Sequence, residues 1–286
     1  MHRDGGLLTI TIDRPEGHNS LNRALRLELR EAFEAAASAS DPATAAPVDV
    51  GDNGGSGGGR GGDGRGDGGR GDDGLVRAVL LRGGKNVFCT GQDLKEHLAE
   101  MKDPAAMDKV DTEYNPMVAA LASIPVPVVA SVNGSAAGAG WSLALNCDFR
   151  VAAETASFKA AFPSIGLATD CGISYLLPKL VGPAKAVELL FADKPVKAAE
   201  ALELGLVTKV VEGDDADAAA EEFARGLADG PTGSYREIKA LLADTVALLD
   251  IADRESGAQK RLVTSRDHAE AVDAFLNKRA PKFTGR

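Results

Sequence analysis

Apolar positions along this chain fall into short runs of strand length, separated by glycine, proline and small polar residues, with longer stretches of helical spacing between them. Residues 7–12 alternate as a strand, and 21–37, rich in Leu, Ala, Glu and Arg, have the spacing of an amphipathic helix. Residues 76–82 predict a second strand, leading into a glycine-punctuated loop whose Asp93 is placed to begin a helix. Helical composition follows over 95–101 and 104–123, with Pro104 suited to a first turn. Pro125 and Pro127 mark the entry to an apolar strand, 126–132, which breaks at Asn133-Gly134 into very small residues before a helical pattern resumes at 141–146. Short strands are predicted at 148–153 and 156–158, then a loop over 160–170. Helical segments at 176–180, 184–191 and 197–204 are separated by Pro178, Gly182-Pro183 and Pro195. After a last strand-like run, 206–211, the pattern is helical only: 218–227, 235–249, 254–264 and 267–277. Strand and helix units followed by helices predict an α/β core over 1–211 and a helical region over 212–286.

Composition changes this picture at one place. Between Gly51 and Gly74 stand 14 of the chain's 33 glycines, with Asp and Arg but no aliphatic or aromatic side chain. Such a segment buries too little surface to offset its ordering entropy, so an inserted mobile loop at about 48–74 is expected. Collagen is excluded by the broken period and the missing proline, and an RNA-binding arginine-glycine tail by the excess of Asp over Arg. A formal net charge of −10 argues against general nucleic-acid binding. Cys89, Cys147 and Cys171 form no Cys-x-x-Cys pair, and the four histidines form no ligand motif, so neither a disulfide framework nor a metal site is expected. With no apolar signal region or membrane-length run, the chain reads as soluble and cytoplasmic, with no membrane partner.

Candidate chemistry lies where two strands run into helices. The small residues after Asn133 leave backbone N–H groups bare at a helix start, where an oxygen carrying negative charge can dock. Gly138-Ala-Gly140 is not a dinucleotide fingerprint, because Leu143 replaces the third glycine, and no serine stands in Gly-x-Ser-x-Gly. The corner at Phe88-Cys-Thr-Gly-Gln-Asp-Leu94 can aim a second N–H at the same point. This pair of segments, Phe-Cys-x-Gly-x-Asp-Leu and Asn-Gly-x-Ala-x-Gly-x-Gly, resembles the signatures of the crotonase (enoyl-CoA hydratase/isomerase) superfamily. Arg14-Pro15 with His18-Asn19-Ser20-Leu21-Asn22 resembles that family's N-terminal segment, and Ala280–Arg286 resembles the tail of its ring-1,2-epoxyphenylacetyl-CoA isomerase branch.

The resemblance implies a spiral of β-β-α units whose helical C-terminal region builds a trimer or a dimer of trimers. It also implies an acyl-CoA substrate and no further cofactor, since coenzyme A belongs to the substrate. The oxyanion hole would be the backbone N–H groups of Gln92 and Ala139, with Ser20, Gly91, Asp93, Gly138, Ser142 and Phe162 against the substrate. The two glutamates of the family's hydratases align with Ser142 and Phe162, neither of which can do that acid-base work. Asp170 remains; it aligns with the isomerases' proton-shuttling base, while by itself it reads as the cap of the following helix. A double-bond shift is therefore expected. Hydration, or idle binding of CoA thioesters, is the alternative. Trp141, Phe158 and Phe162 are compatible with a ring acyl chain or with simple core packing.

Overall fold

The computed structural model describes residues 1–43, 74–101, 103, 105–192 and 194–286; the glycine-rich segment up to residue 73, and Pro104, lie outside the described residues. The first elements are β1 (His2–Asp4), β2 (Leu7–Thr11), α1 (Arg23–Ser40), β3 (Ala78–Arg82), β4 (Val87–Cys89), α2 (Leu94–Glu100) and α3 (Asn115–Ala122). Then come β5 (Val128–Val132), β6 (Ser135–Ala137), α4 (Ala139–Asn146), β7 (Phe149–Ala153), β8 (Ser157–Lys159), α5 (Ile173–Val181), α6 (Pro183–Ala192), β9 (Val196–Lys197) and α7 (Ala198–Glu203). The remainder is β10 (Lys209–Val211), α8 (Asp217–Ala228), α9 (Thr232–Leu242), α10 (Thr245–Leu262) and α11 (Arg266–Leu276).

Six strands form one sheet in the order β1-β2-β3-β5-β7-β10, parallel except for the β1/β2 hairpin. Both faces are covered, which explains the continuous apolar strands. Val79, Leu81, Val128, Ala130 and Val132 belong to the large core shared with α1, α3 and α4. Leu7, Leu80, Val129 and Val151 face the other way, onto Ala220, Ala224 and Ala228 of α8, a small-residue stripe that lets the helix approach closely. A second sheet, β4-β6-β8-β9, stands beyond the C-terminal ends of β3, β5 and β7. Its strands are two or three residues long; β8 answers to the short strand expected at 156–158, whereas β4, β6 and β9 are too short to show a period in the sequence and were not predicted.

Two helix boundaries also differ from expectation. Pro178 lies inside α5 instead of ending a segment, so that helix goes without the one N–H that residue 178 would otherwise donate. The run 235–249 is divided at Ala243, whose extended ψ of 134° ends α9. Asp244 then caps α10 by accepting from Ala247 N–H, and α10 continues unbroken through 249–254. Apolar periodicity persists across that break, so the pattern could not reveal it. Among the described residues, no helix is long and apolar enough to cross a membrane.

Candidate active site

The two strand-to-helix corners meet. Gly91 follows β4 at φ +80°, and a Cβ there would lie 2.7 Å from the carbonyl oxygen of Ala137 and 3.2 Å from the backbone nitrogen of Ala139. Gly138, at φ +52°, occupies a left-handed turn that only glycine adopts cheaply and starts α4 at Ala139. Two residues on, a Cβ at Gly140 would meet the Cys89 carbonyl oxygen at 2.1 Å, so bare backbone is what lets the helix seat against β4.

Both predicted amides are oriented by their surroundings. Leu21 N–H donates to Gly91 O (2.7 Å) and Asp93 N–H to Leu21 O (3.3 Å). The Gln92 N–H between them is thereby turned to the opposite side of the strand. Ala139 is the first residue of its helix, where an N–H has no intrahelical acceptor. Asp93 caps α2 through Glu96 N–H and accepts from Arg14 Nη1 (2.5 Å) and Ser20 Oγ (3.1 Å). Burial alone would raise its pKa, but those donors outweigh burial and hold the carboxyl below its ordinary value. Ser20 and Asp93 thus join the N-terminal segment to the first corner, with Arg14, expected only as part of that segment, as the cation between them.

Asp170 lies in the loop before α5, 6 % exposed. Burial, followed by the nearby Glu255 charge, pushes its pKa up to about 7, with Cys171 and Gln259 pulling the other way. Among the described residues its Oδ1 has no hydrogen-bond partner. The capping role expected for Asp170 is not what the structure shows: the N-cap of α5 is Gly172, without a side-chain cap bond. The first amides of that helix are taken by Glu255 of α10, whose oxygens accept from Gly172 N–H (2.7 Å) and Ser174 N–H (2.9 Å). That frees the Asp170 carboxyl from capping. Glu255 escaped the sequence reading because it sits 83 positions from Gly172 on a helix with no motif of its own.

Ser142 is fully buried, and its hydroxyl lies 3.3 Å from Gly138 O and 3.1 Å from Asp170 O, spanning the second corner and the loop. Asn146, one turn further along α4, donates to Cys171 O (3.1 Å) and fastens the same loop. Phe162 is 4 % exposed, and its ring would lie 3.9 Å from a Cβ at Gly138, which makes it a wall of this corner. Trp141 and Phe158 pack together with ring centroids 6.2 Å apart inside the core. A separate cavity of about 480 Å³ between α5, α9 and the start of α10, bordered by Tyr175, Lys179 and Lys239, includes none of Gln92, Ala139 and Asp170.

The second strand-to-helix corner is thus fastened through Ser142 and Asn146 to the loop that carries a buried carboxyl, its pKa raised to about 7. Comparison with known proteins places the chain in a family. Residues 70–286 match the family model described as enoyl-CoA hydratase/isomerase. The 1,2-epoxyphenylacetyl-CoA isomerase of Escherichia coli (strain K12) is 34 % identical, covering 100 % of this chain and 97 % of its own length. A protein of Rhodobacter capsulatus named as a probable enoyl-CoA hydratase is 37 % identical over 98 % of this chain and 95 % of its own. The crystal structure of an enoyl-CoA hydratase from Mycobacterium avium subsp. paratuberculosis K-10 superposes with a TM-score of 0.76 at 32 % identity, covering 98 % of this chain and 96 % of that one. The mixed α/β architecture is that of these neighbours, the crotonase fold, and the chain belongs to the enoyl-CoA hydratase/isomerase family.

Proposed function

We propose that the protein is an acyl-CoA isomerase, shifting a double bond in an enoyl-CoA or ring acyl-CoA through a thioester enolate. The observation that carries this reading is the division of labour between two buried carboxyls. Among the described residues Asp170 keeps Oδ1 without a partner and has its pKa raised to about 7, whereas both Glu255 oxygens are occupied by the amides of Gly172 and Ser174. Hydration conventionally needs two acid-base groups, and Ser142 and Phe162 supply none. A double-bond shift needs one.

The thioester oxygen receives the N–H groups of Gln92 and Ala139. Asp170 takes a proton from the acyl chain, the charge moves onto that oxygen, and the conjugate acid returns the proton at another carbon. Each such donor is worth about 2.7 to 4 kcal/mol and a positioned base roughly 10² to 10⁴ in rate. The substrate's own coenzyme A is the only cofactor this chemistry uses. Exposed Ile238, Leu241, Leu242 and Val246 on α9 and α10 support assembly through the C-terminal helices, as a trimer or a dimer of trimers. Sedimentation as a monomer at micromolar concentration would refute the assembly.

The hydratase-named relatives favour a second reading, addition of water to an enoyl-CoA. One experiment separates the two. A 3-enoyl-CoA should gain the ultraviolet absorbance of a conjugated thioester, and crotonyl-CoA should keep its absorbance. Rapid loss of crotonyl-CoA absorbance through water uptake would decide for hydration.

A further inference from the structure

Two histidines 171 positions apart meet in the interior, beside the first corner. His97 of α2 and His268 of α11 are 1 % and 0 % exposed, and their Nε2 atoms lie 2.8 Å apart. His268 Nδ1 is 2.7 Å from the carbonyl oxygen of Ile165. His97 Nδ1 is 3.1 Å from the amide nitrogen of the Gln92 side chain. These contacts fix every proton of the chain. A carbonyl only accepts, so His268 Nδ1 carries a hydrogen and, in a neutral ring, its Nε2 is the acceptor. His97 Nε2 must then donate, which leaves His97 Nδ1 to accept from Gln92. One proton per ring satisfies the whole relay.

The far end is anchored as firmly. Gly166 abuts the start of α11 so closely that a Cβ would come within 2.9 Å of the His268 nitrogen. Asp267 holds the C-terminal tail by accepting from Thr284 N–H (2.6 Å) and Gly285 N–H (2.7 Å). We propose that His97 and His268 are positioning residues of the active site: a neutral pair of fixed tautomers that couples α11 and the 163–166 turn to Gln92. Leu21 holds the Gln92 backbone from one side and the relay holds its side chain from the other, so the N–H is kept in line with that of Ala139. The proposal rests on the reading of those two amides as oxyanion donors.

Its chemistry is sensitive to protons. An added proton on either ring sets two N–H groups against each other across 2.8 Å, or forces the Gln92 amide to turn over. The charged groups around the pair keep it neutral. Lys109, whose ammonium is paired with Glu100, faces His97. His268 sits in the first turn of α11, where the helix dipole disfavours a cation, and the neighbouring Asp267 is engaged by the tail.

The test uses the full chain with benzoyl-CoA isotopically labelled at its carbonyl, a thioester with no α-proton to remove and no isolated double bond to hydrate. Infrared spectroscopy reads the shift of the bound carbonyl, and histidine-nitrogen NMR at neutral pH reads the tautomers. In the wild type the carbonyl should shift to lower frequency, with His268 protonated at Nδ1 and His97 at Nε2. His97→Leu should lose much of that shift and, assayed separately with a 3-enoyl-CoA, roughly 10- to 100-fold in kcat with little change in KM, as for a group misplaced by a fraction of an ångström. His97→Gln, whose amide can accept from Gln92 and donate to His268, should restore most of both. A merely structural role would lower the folded fraction but leave the carbonyl shift of bound probe unchanged. Opposite tautomers in the wild type, or an unaltered shift in His97→Leu, would overturn the proposal while leaving the oxyanion reading standing. An unshifted carbonyl in the wild type would overturn the oxyanion reading, and the relay's role with it.

Discussion

Asp170→Asn should make the protein less active and more stable. The carboxyl is deeply buried, and its pKa rises from 3.8 to about 7 on folding, with burial as the larger cause and Glu255 the next. The sign follows from proton counting. As pH rises through this interval the unfolded chain releases the Asp170 proton and the folded chain keeps it, so stability falls with rising pH until both forms are ionised. At about 1.4 kcal/mol per pH unit, the penalty is about 2 kcal/mol at pH 5 and levels off at about 4 kcal/mol above pH 7. A neutral amide of the same shape removes it, and its new N–H₂ group lies beside Gln259, whose Oε1 is buried without a partner. Urea unfolding of wild type and variant at both ends of that range gives the difference directly. Solvent deuterium exchange into the acyl chain should fall by roughly 10² to 10⁴. A variant that is destabilised at every pH and turns over normally would refute the argument, because that is the behaviour of a packing or capping residue.

Gly91→Ala should damage the oxyanion corner, since its Cβ would press on Ala137 O at 2.7 Å in a backbone with φ +80°. Loss of one donor is worth roughly 10² to 10³ in kcat, read by steady-state kinetics with CoA-thioester affinity largely kept. Glu255→Gln removes the charge that helps hold the Asp170 proton, so the acid limb of the pH-rate profile should move to lower pH. The same change sets an N–H₂ against one of the two amides it caps and should cost about 1 to 3 kcal/mol in denaturant unfolding. His97 has a folded pKa lowered from 6.5 to about 4, by burial first and then by His268 and Lys109. Its contribution to stability is complete above 6.5 and is lost as pH falls toward 4, about 3 kcal/mol in all. Asp170 acts with the opposite sign over much of that window, so Asp170→Asn should steepen the acid loss of stability and His97→Leu should flatten it.

What the sequence made legible was local: the strand leading to Asn133, the glycines that bare Gln92 and Ala139, and the helix cap at Asp93 all act within a few residues of themselves. Gly91 and Gly138 were readable because a turn with positive φ leaves a mark on residue type. Of the second sheet only β8 was, at 156–158, because strands of two or three residues carry no period. The break at Ala243 was hidden by apolar spacing that continues across it.

The remaining site residues were silent for a different reason. Glu255 and Asn146 act at a distance, and each is an ordinary helix residue until the fold brings it to its partner. Asp170 shows the consequence most directly. Judged by its neighbours in the chain it is a helix cap, because an aspartate just before a helical run usually is. The fold assigns the cap to a carboxylate from α10, and the aspartate left over is buried, partly unpaired and raised toward neutrality. Stability alone would not select such a carboxyl, since protonating it or replacing it with an amide costs the fold nothing evident. Under the isomerase reading proposed above, it supplies the base near neutral pH that the reaction needs. Ser142 then has a purpose besides packing, because it ties the main chain of that base to the turn that carries one of the amides.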